Sequence, residues 1–123
     1  MQNSNTPFRI AAVTGFLAVA LGAFGAHGLH GLLEKNNAVE IWRTASTYHL
    51  IHAGVLLFVA TLRPFPRTAW GLFLAGIVVF SGSLYLLAVT GLHWIGAITP
   101  VGGIALLAGW LALALRSEPK TVD

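Results

Sequence analysis

The sequence predicts an all-α membrane protein, a compact bundle of four transmembrane helices with both termini in the cytoplasm. Three observations predict it. Of 123 residues, 56% are hydrophobic and 9% charged, against about a quarter charged in a soluble domain; such a chain lacks the polar groups to cover a surface facing water. Four apolar runs, at about 8–29, 41–62, 69–90 and 95–115, each match the ~20 residues that carry a helix across the hydrocarbon core. None of the runs alternates polar with apolar residues as a membrane strand would, and in lipid a helix satisfies its own backbone. All four runs read as one domain.

The first run follows a polar N-terminal stretch, residues 1–7, and carries a row of small residues, Ala11, Gly15, Ala18, Gly22, Gly25 and Ala26, at helical spacing. Such rows let helix backbones approach closely in lipid. Its apolar stretch exceeds a signal-peptide core, so despite Ala18-x-Ala20 it reads as an uncleaved span. The loop that follows, His30–Glu40, is the longest; Asn36-Asn37 breaks it, and Asn37 is placed to cap the second helix. The second run holds Ser46, Ala53 and Ala60 at seven-residue intervals. The RPFPR turn at 63–67 is short, stiff and cationic. The third run offers Gly71 and Ala75, and the tight Gly91–Trp94 turn makes it a neighbour of the fourth, whose small row is Gly102, Ala105, Gly109 and Ala112. Pro100 should loosen the start of that helix. Trp42 and Trp94 at one level and Trp70 and Trp110 at the other read as an aromatic belt.

Charge placement sets the orientation. Arg9, Arg63, Arg67, Arg116 and Lys120 fall on one side of a four-span chain, and Lys35 and Arg43 on the other. This is the positive-inside bias, and it puts both termini in the cytoplasm. The net charge of +3 is therefore a topology signal, and no nucleic-acid partner is implied.

The second run also contains Tyr48, His49 and His52. On a helix they share an arc of about 100° with Ala45, Leu56 and Val59. With alternating spans, the outer half of the bundle receives these three together with His27 from the first span, Ser81, Ser83 and Tyr85 from the third and Thr99 from the fourth. Side chains of this kind are costly in lipid, so they should face inward and pair. The expected result is a polar pocket on the non-cytoplasmic side.

Three roles are open to that pocket. It binds a small polar molecule, a lipid headgroup or a quinone-like ring. Alternatively it is a structural cluster that ties the helices together, in a subunit whose small-residue faces meet copies of itself or a larger membrane complex. Third, His27, His49 and His52 hold a metal ion or a haem. No cofactor is required by any other residue. Enzyme chemistry is not expected: Glu34, Glu40, Glu118 and Asp123 all lie outside the spans, so no buried carboxylate is available for acid–base work. There is no cysteine to act as thiolate or nucleophile. Gly22-x-x-Gly25-x-x-Gly28 follows no strand and reads as helix packing, not as a dinucleotide fingerprint.

The stretches GAFGAHGL at 22–29, WRTASTYHLIHA at 42–53, FSGSLYLL at 80–87, ITPVGG at 98–103 and GW at 109–110 together resemble the YgdD/YwdK-type family. Its members are small bacterial membrane proteins with related eukaryotic transmembrane proteins, a domain-of-unknown-function family. The resemblance covers nearly the whole chain. It implies a multi-pass protein of the bacterial inner membrane and carries no activity with it. Its motifs coincide with the eight polar residues chosen above on physical grounds.

Overall fold

The structure, a computed structural model, describes residues 5–117. The start of the polar N-terminal stretch (1–4), Glu118, Lys120 and Asp123 lie outside the described residues. All regular structure among the described residues is helical. Helix α1 spans Thr6–Ala26, α2 His30–Lys35 and α3 Val39–Val59; α4, Arg67–Gly76, runs through a π-helical turn, Ile77–Ser81, into α5, Gly82–Thr90. A 3-10 turn, His93–Ala97, leads into α6, Thr99–Ala114.

Three helical segments are long and apolar enough to cross a membrane: Thr6–Ala26, the continuous Arg67–Thr90 and His93–Ala114. Their outward residues are large and apolar. Phe16 is 71% exposed, Leu107 70% and Ile104 66%, a surface suited to lipid and not to water. Helix α3 equals α1 in length, 21 residues, but its Thr, Ser, Tyr, His, Glu40 and Arg43 side chains make it the least apolar of the long segments.

Contacts between neighbours fix their directions. Gly15 of α1 faces Ala53 of α3, and the Trp42 indole of α3 donates to the Leu21 carbonyl of α1 at 2.9 Å, so the two helices are antiparallel. Ala69, Phe73 and Ile77 pack with Leu56 and Val59, while Ala88 packs with Trp42, so α4–α5 runs back along α3. Gly76 lies under Leu106, and Gly109 under the Phe73 ring, which makes α6 antiparallel to α4–α5. Helix α1 packs on α3 and α2, and α6 on α4, the π turn and its own 3-10 lead-in. The most enclosed helices are therefore α3 and α4–α5, with α1 and α6 at the flanks. A closed square bundle would also set α1 against α6; among the described residues that face is not packed.

Parts of the small-residue rows are the seams, although Gly71 and Ala75 of the third run face outward and a Cβ on Gly22 would meet no atom within 4 Å. A Cβ on Gly25 would collide with the Trp42 indole, and one on Gly102 with the Phe80 backbone. Ala11, Ala18, Ala53 and Gly109 are buried along the same seams. With glycine or alanine at each crossing, backbones approach closely and gain dispersion contacts on both sides.

Several local expectations are corrected. The 30–40 segment is not all loop, because HGLLEK closes a helical turn. The turn ends in a Schellman motif: the Asn37 and Ala38 N–H groups return to Glu34 O and Leu33 O at 3.0 and 2.7 Å, and Ala38 packs with Leu33. Asn37 supplies the left-handed residue, φ 54°, and so ends α2; it does not cap α3, whose N-cap is Ala38. Its neighbour Asn36 has the further role. Its Nδ2 donates to Ala88 O at 2.9 Å and Val89 O at 3.0 Å, satisfying carbonyls at the end of α5 that the helix leaves open. Gly91, φ 72°, closes the same helix end through its N–H to Leu87 O at 2.8 Å. Pro100 does not loosen α6. It lies in the first turn, where no backbone N–H is needed; the irregular backbone is the 3-10 turn ahead of it, His93–Ala97, and the π turn of the third run. Trp42 is not an interfacial residue; it is 5% exposed, inserted between α1 and α3.

Candidate functional site

Seven of the eight polar residues divide among separate places where helices meet, and His27 stands apart. At the α3–α5 crossing, His49 Nδ1 and Tyr85 Oη are hydrogen-bonded at 2.9 Å, and Ser81 Oγ donates to the Ala45 carbonyl at 2.8 Å. The π turn presents Ser81 there and leaves it 1% exposed. At the α5–α6 crossing, Ser83 Oγ and Thr99 Oγ1 are 2.6 Å apart, and Ser83 Oγ also reaches the Phe80 carbonyl at 3.0 Å. At the α3–α6 crossing, His52 Nδ1 lies 2.8 Å from the Tyr48 carbonyl, and Trp110 Nε1 donates to His52 Nε2 at 3.1 Å. A carbonyl can only accept and an indole N–H can only donate. His52 is therefore the neutral tautomer with its proton on Nδ1, and both ring nitrogens are occupied.

Tyr48 takes part through its ring, parallel to His52 within 9° at a centroid distance of 6.1 Å and 4.8 Å from Phe80. His27 is not brought to the others. Helix α1 ends one residue before it, and the ring is exposed on the following turn. The expected trio of His27, His49 and His52 is thus not assembled, and no group of three His, Cys, Asp or Glu side chains suited to a metal occurs among the described residues. The expected enclosed chamber is replaced by pairwise bonds. Each is worth roughly 0.6–2 kcal/mol in lipid, and together they fix the three crossings.

Open space lies beside these bonds. A lateral groove of about 250 Å³ between α1 and α4–α5 has His49 as its floor. Another, of about 420 Å³ between α3 and α6, is lined by Tyr48, His52, Phe80, Pro100 and Trp110. Both are mainly apolar and face outward between helices. A third recess, of about 270 Å³, sits at the end of the molecule where α1, α2 and α3 meet. It is lined by Gly22, Ala26, His30, Arg43, Ser46 and Thr47. His30 pairs with Glu34 at 3.3 Å and Arg43 with Glu40. Ser46 Oγ is buried nearby, on the side of Tyr85.

Sequence reasoning passes over His30, Arg43 and Thr47, because α2 reads as loop and Arg43 as a topology charge. The available signal is HGLLEK itself, with a His–Glu pair at i,i+4 and Leu33 turned inward. Trp110 is likewise read as belt, although its indole completes His52.

Comparison with known proteins places the chain. A family model described as "Protein of unknown function (DUF423)" matches residues 21–103. The UPF0382 membrane protein YwdK of Bacillus subtilis is 44% identical over 114 residues, covering 88% of this chain and 92% of the relative. The UPF0382 inner membrane protein YgdD of Escherichia coli K12 is 42% identical over 123 residues, covering 92% of each. The UPF0382 membrane protein SERP0230 of Staphylococcus epidermidis is 42% identical over 113 residues, 88% of this chain and 91% of the relative. No solved structure matches. The match to the family model and the identity along nearly the full length of these membrane proteins agree with the sequence resemblance, and the chain belongs to the DUF423 family.

Proposed function

We propose that this is a four-span protein of the inner membrane with both termini in the cytoplasm, that it catalyses no reaction, and that it holds a small polar ligand or lipid headgroup at the outer end of its helices. One observation carries the reading: His49, His52, Ser81, Ser83 and Thr99 have hydrogen-bond partners within the chain, whereas His30, Arg43 and Thr47 face the open recess between α1, α2 and α3. The paired residues then build the walls, and the recess is the site.

Counting α3 as a span is supported by its length of 21 residues, about 30 Å of helix. Its histidines are buried while Leu50, Ile51 and Phe58 face outward. The orientation is supported by Arg9, Arg63, Arg67 and Arg116 gathering at the opposite end of the molecule from Lys35 and Arg43. Arg116 donates to Pro64 O at 3.3 Å, which ties two of those cationic segments together. The inner membrane is the location that the name of the E. coli relative carries. The non-enzymatic reading is supported by the partners of His49 and His52, which are a phenol, an indole and a backbone carbonyl, with no carboxylate at either ring. The rival reading, an interaction subunit built on small-residue faces, loses support because Gly25, Gly76, Gly102 and Gly109 are covered within the chain.

Since the sequence lacks cysteine, single-cysteine variants can be labelled without background. In intact cells an impermeant maleimide should modify Leu92→Cys and leave Thr61→Cys untouched; the reverse pattern overturns the orientation. Protein extracted gently from membranes should retain a bound small molecule or lipid, seen by native mass spectrometry, and Gly22→Leu should abolish it. Retention of nothing by the unaltered chain would end the ligand-binding reading.

A further inference from the structure

The recess carries chemistry that narrows its ligand. Its α1 wall has no side chain larger than a methyl group, being Gly22, Gly25 and Ala26. Packing explains only part of this. Gly25 lies under the Trp42 indole, but a Cβ on Gly22 would meet no atom within 4 Å. Close approach therefore does not require glycine at 22; the missing side chain leaves the space open.

The other walls bring donors. Arg43 gives one arm of its guanidinium to Glu40, and its remaining N–H groups and the Thr47 hydroxyl have no protein partner among the described residues. A guanidinium fork with a hydroxyl and an imidazole beside it is a donor set for a phosphodiester. The recess is nevertheless not simply cationic. Glu40, 77% exposed, sits on Arg43, and Glu34, 64% exposed, sits on His30. Two of the three donors, Arg43 and His30, thus carry a carboxylate partner, so the charge pattern suits a ligand with both signs better than a net anion. Exposed ion pairs of this kind contribute little and rearrange readily.

Depth points the same way. Helix α1 presents Val19 and Phe24 outward almost to its end, and the polar residues His27, His30 and Glu34 follow at once. The recess therefore lies where an apolar span gives way to polar chain, the level of lipid headgroups.

We propose that this recess binds a phosphoethanolamine group. Its phosphodiester is held by Arg43, His30 and Thr47, and its primary ammonium by Glu34 and Glu40. The inference rests on the ligand-binding reading above and names the ligand.

The test uses the full chain in detergent micelles holding equal amounts of phosphatidylethanolamine, phosphatidylglycerol and phosphatidylcholine, read by native mass spectrometry. Phosphatidylethanolamine should be retained one-to-one and about tenfold over the other two, the factor expected when a charge-assisted bond is made or lost. Arg43→Gln and Glu40→Gln should each lower its retention by about the same factor, and Gly22→Leu should remove it. Thermal melting of each variant checks that the fold is intact, with Gly22→Ala as a milder filling should Gly22→Leu fail to fold. Free phosphoethanolamine, added as a competitor, separates the sources. Displacement of the lipid marks the soluble group as sufficient, and resistance marks the lipid; either accords with the assignment. Equal retention of all three lipids, or preference for phosphatidylglycerol, overturns the phosphoethanolamine assignment and leaves the recess as a site for another ligand. Retention of no lipid, and no binding of the free group, overturns both.

Discussion

Gly22 and Gly25 are three residues apart on α1 and look equivalent in GAFGAHGL, yet their surroundings differ. Gly25 lets the Trp42 indole pass over the helix and donate to Leu21 O at 2.9 Å. Gly25→Ala should therefore cost about 1–3 kcal/mol through overpacking and displacement of that indole. Gly22→Ala should gain about 0.5–1 kcal/mol from helix propensity, because nothing stands in the way of its methyl. Unfolding of the two variants in mild detergent checks the contrast, and equal effects would contradict it. The His52–Trp110 bond makes a second prediction. A double-mutant cycle of His52→Ala and Trp110→Phe should return a coupling of about 0.6–2 kcal/mol, since both ring nitrogens of His52 depend on fixed partners. A coupling near zero would mean that the indole only packs.

The π turn at Ile77–Ser81 is the element that sequence reasoning missed most completely. A π turn holds one residue more than the α turn it replaces. Here that residue lets Ile77 face α3, Phe80 lie on Gly102 of α6, and Ser81 reach Ala45 of α3. No Pro or charge marks the place; IVVFS reads as ordinary apolar helix, because the turn is set by what packs on each side of it. The lipid-facing Val78, 63% exposed, is then a spare residue. Deleting it should let the segment close as regular α-helix with the residues on either side keeping their faces. Deleting Leu72 or Leu86 should rotate all that follows by about 100°. A deletion series from 67 to 90, read by yield and melting temperature in membranes, should show its best tolerance at 77–81; equal damage throughout would refute the idea. Helix α2 was more nearly legible. Its i,i+4 pair and its Leu33 were present in the sequence, but Gly31 and Asn36-Asn37 suggest a breaker, and only the Schellman geometry reveals Asn37 as the end of a helix.

For the whole molecule, the long helices are legible because lipid imposes both their length and their apolar composition; the small-residue rows mark where backbones meet at Gly25, Gly102 and Gly109, but not at Gly22, Gly71 or Ala75, which are open or exposed. The arrangement of polar residues was legible only as inwardness. Helical angle places Tyr48, His49 and His52 on one inward arc; His49 and His52 are buried, but Tyr48 is 44% exposed. It cannot say which partner each will find, and inwardness was overextended to His27, which lies past the end of α1 where the periodic argument no longer applies. The least apolar long helix, α3, lies between α1 and α4–α5, which is where lipid as a solvent would send it.

That order has a consequence for how the chain can be divided. Helix α1 is joined to the rest along its main seam, Ala11, Gly15, Ala18 and Gly25 against α3, by a smaller contact with α2, and through the turn at His27–Leu29. Expressed as two pieces cut in that turn, the chain should reassemble in the bilayer, and a tag on residues 29–123 should capture residues 1–28. Gly25→Leu should release the smaller piece while residues 29–123 stay folded, so the first helix behaves as a removable subunit that a covalent link holds in place.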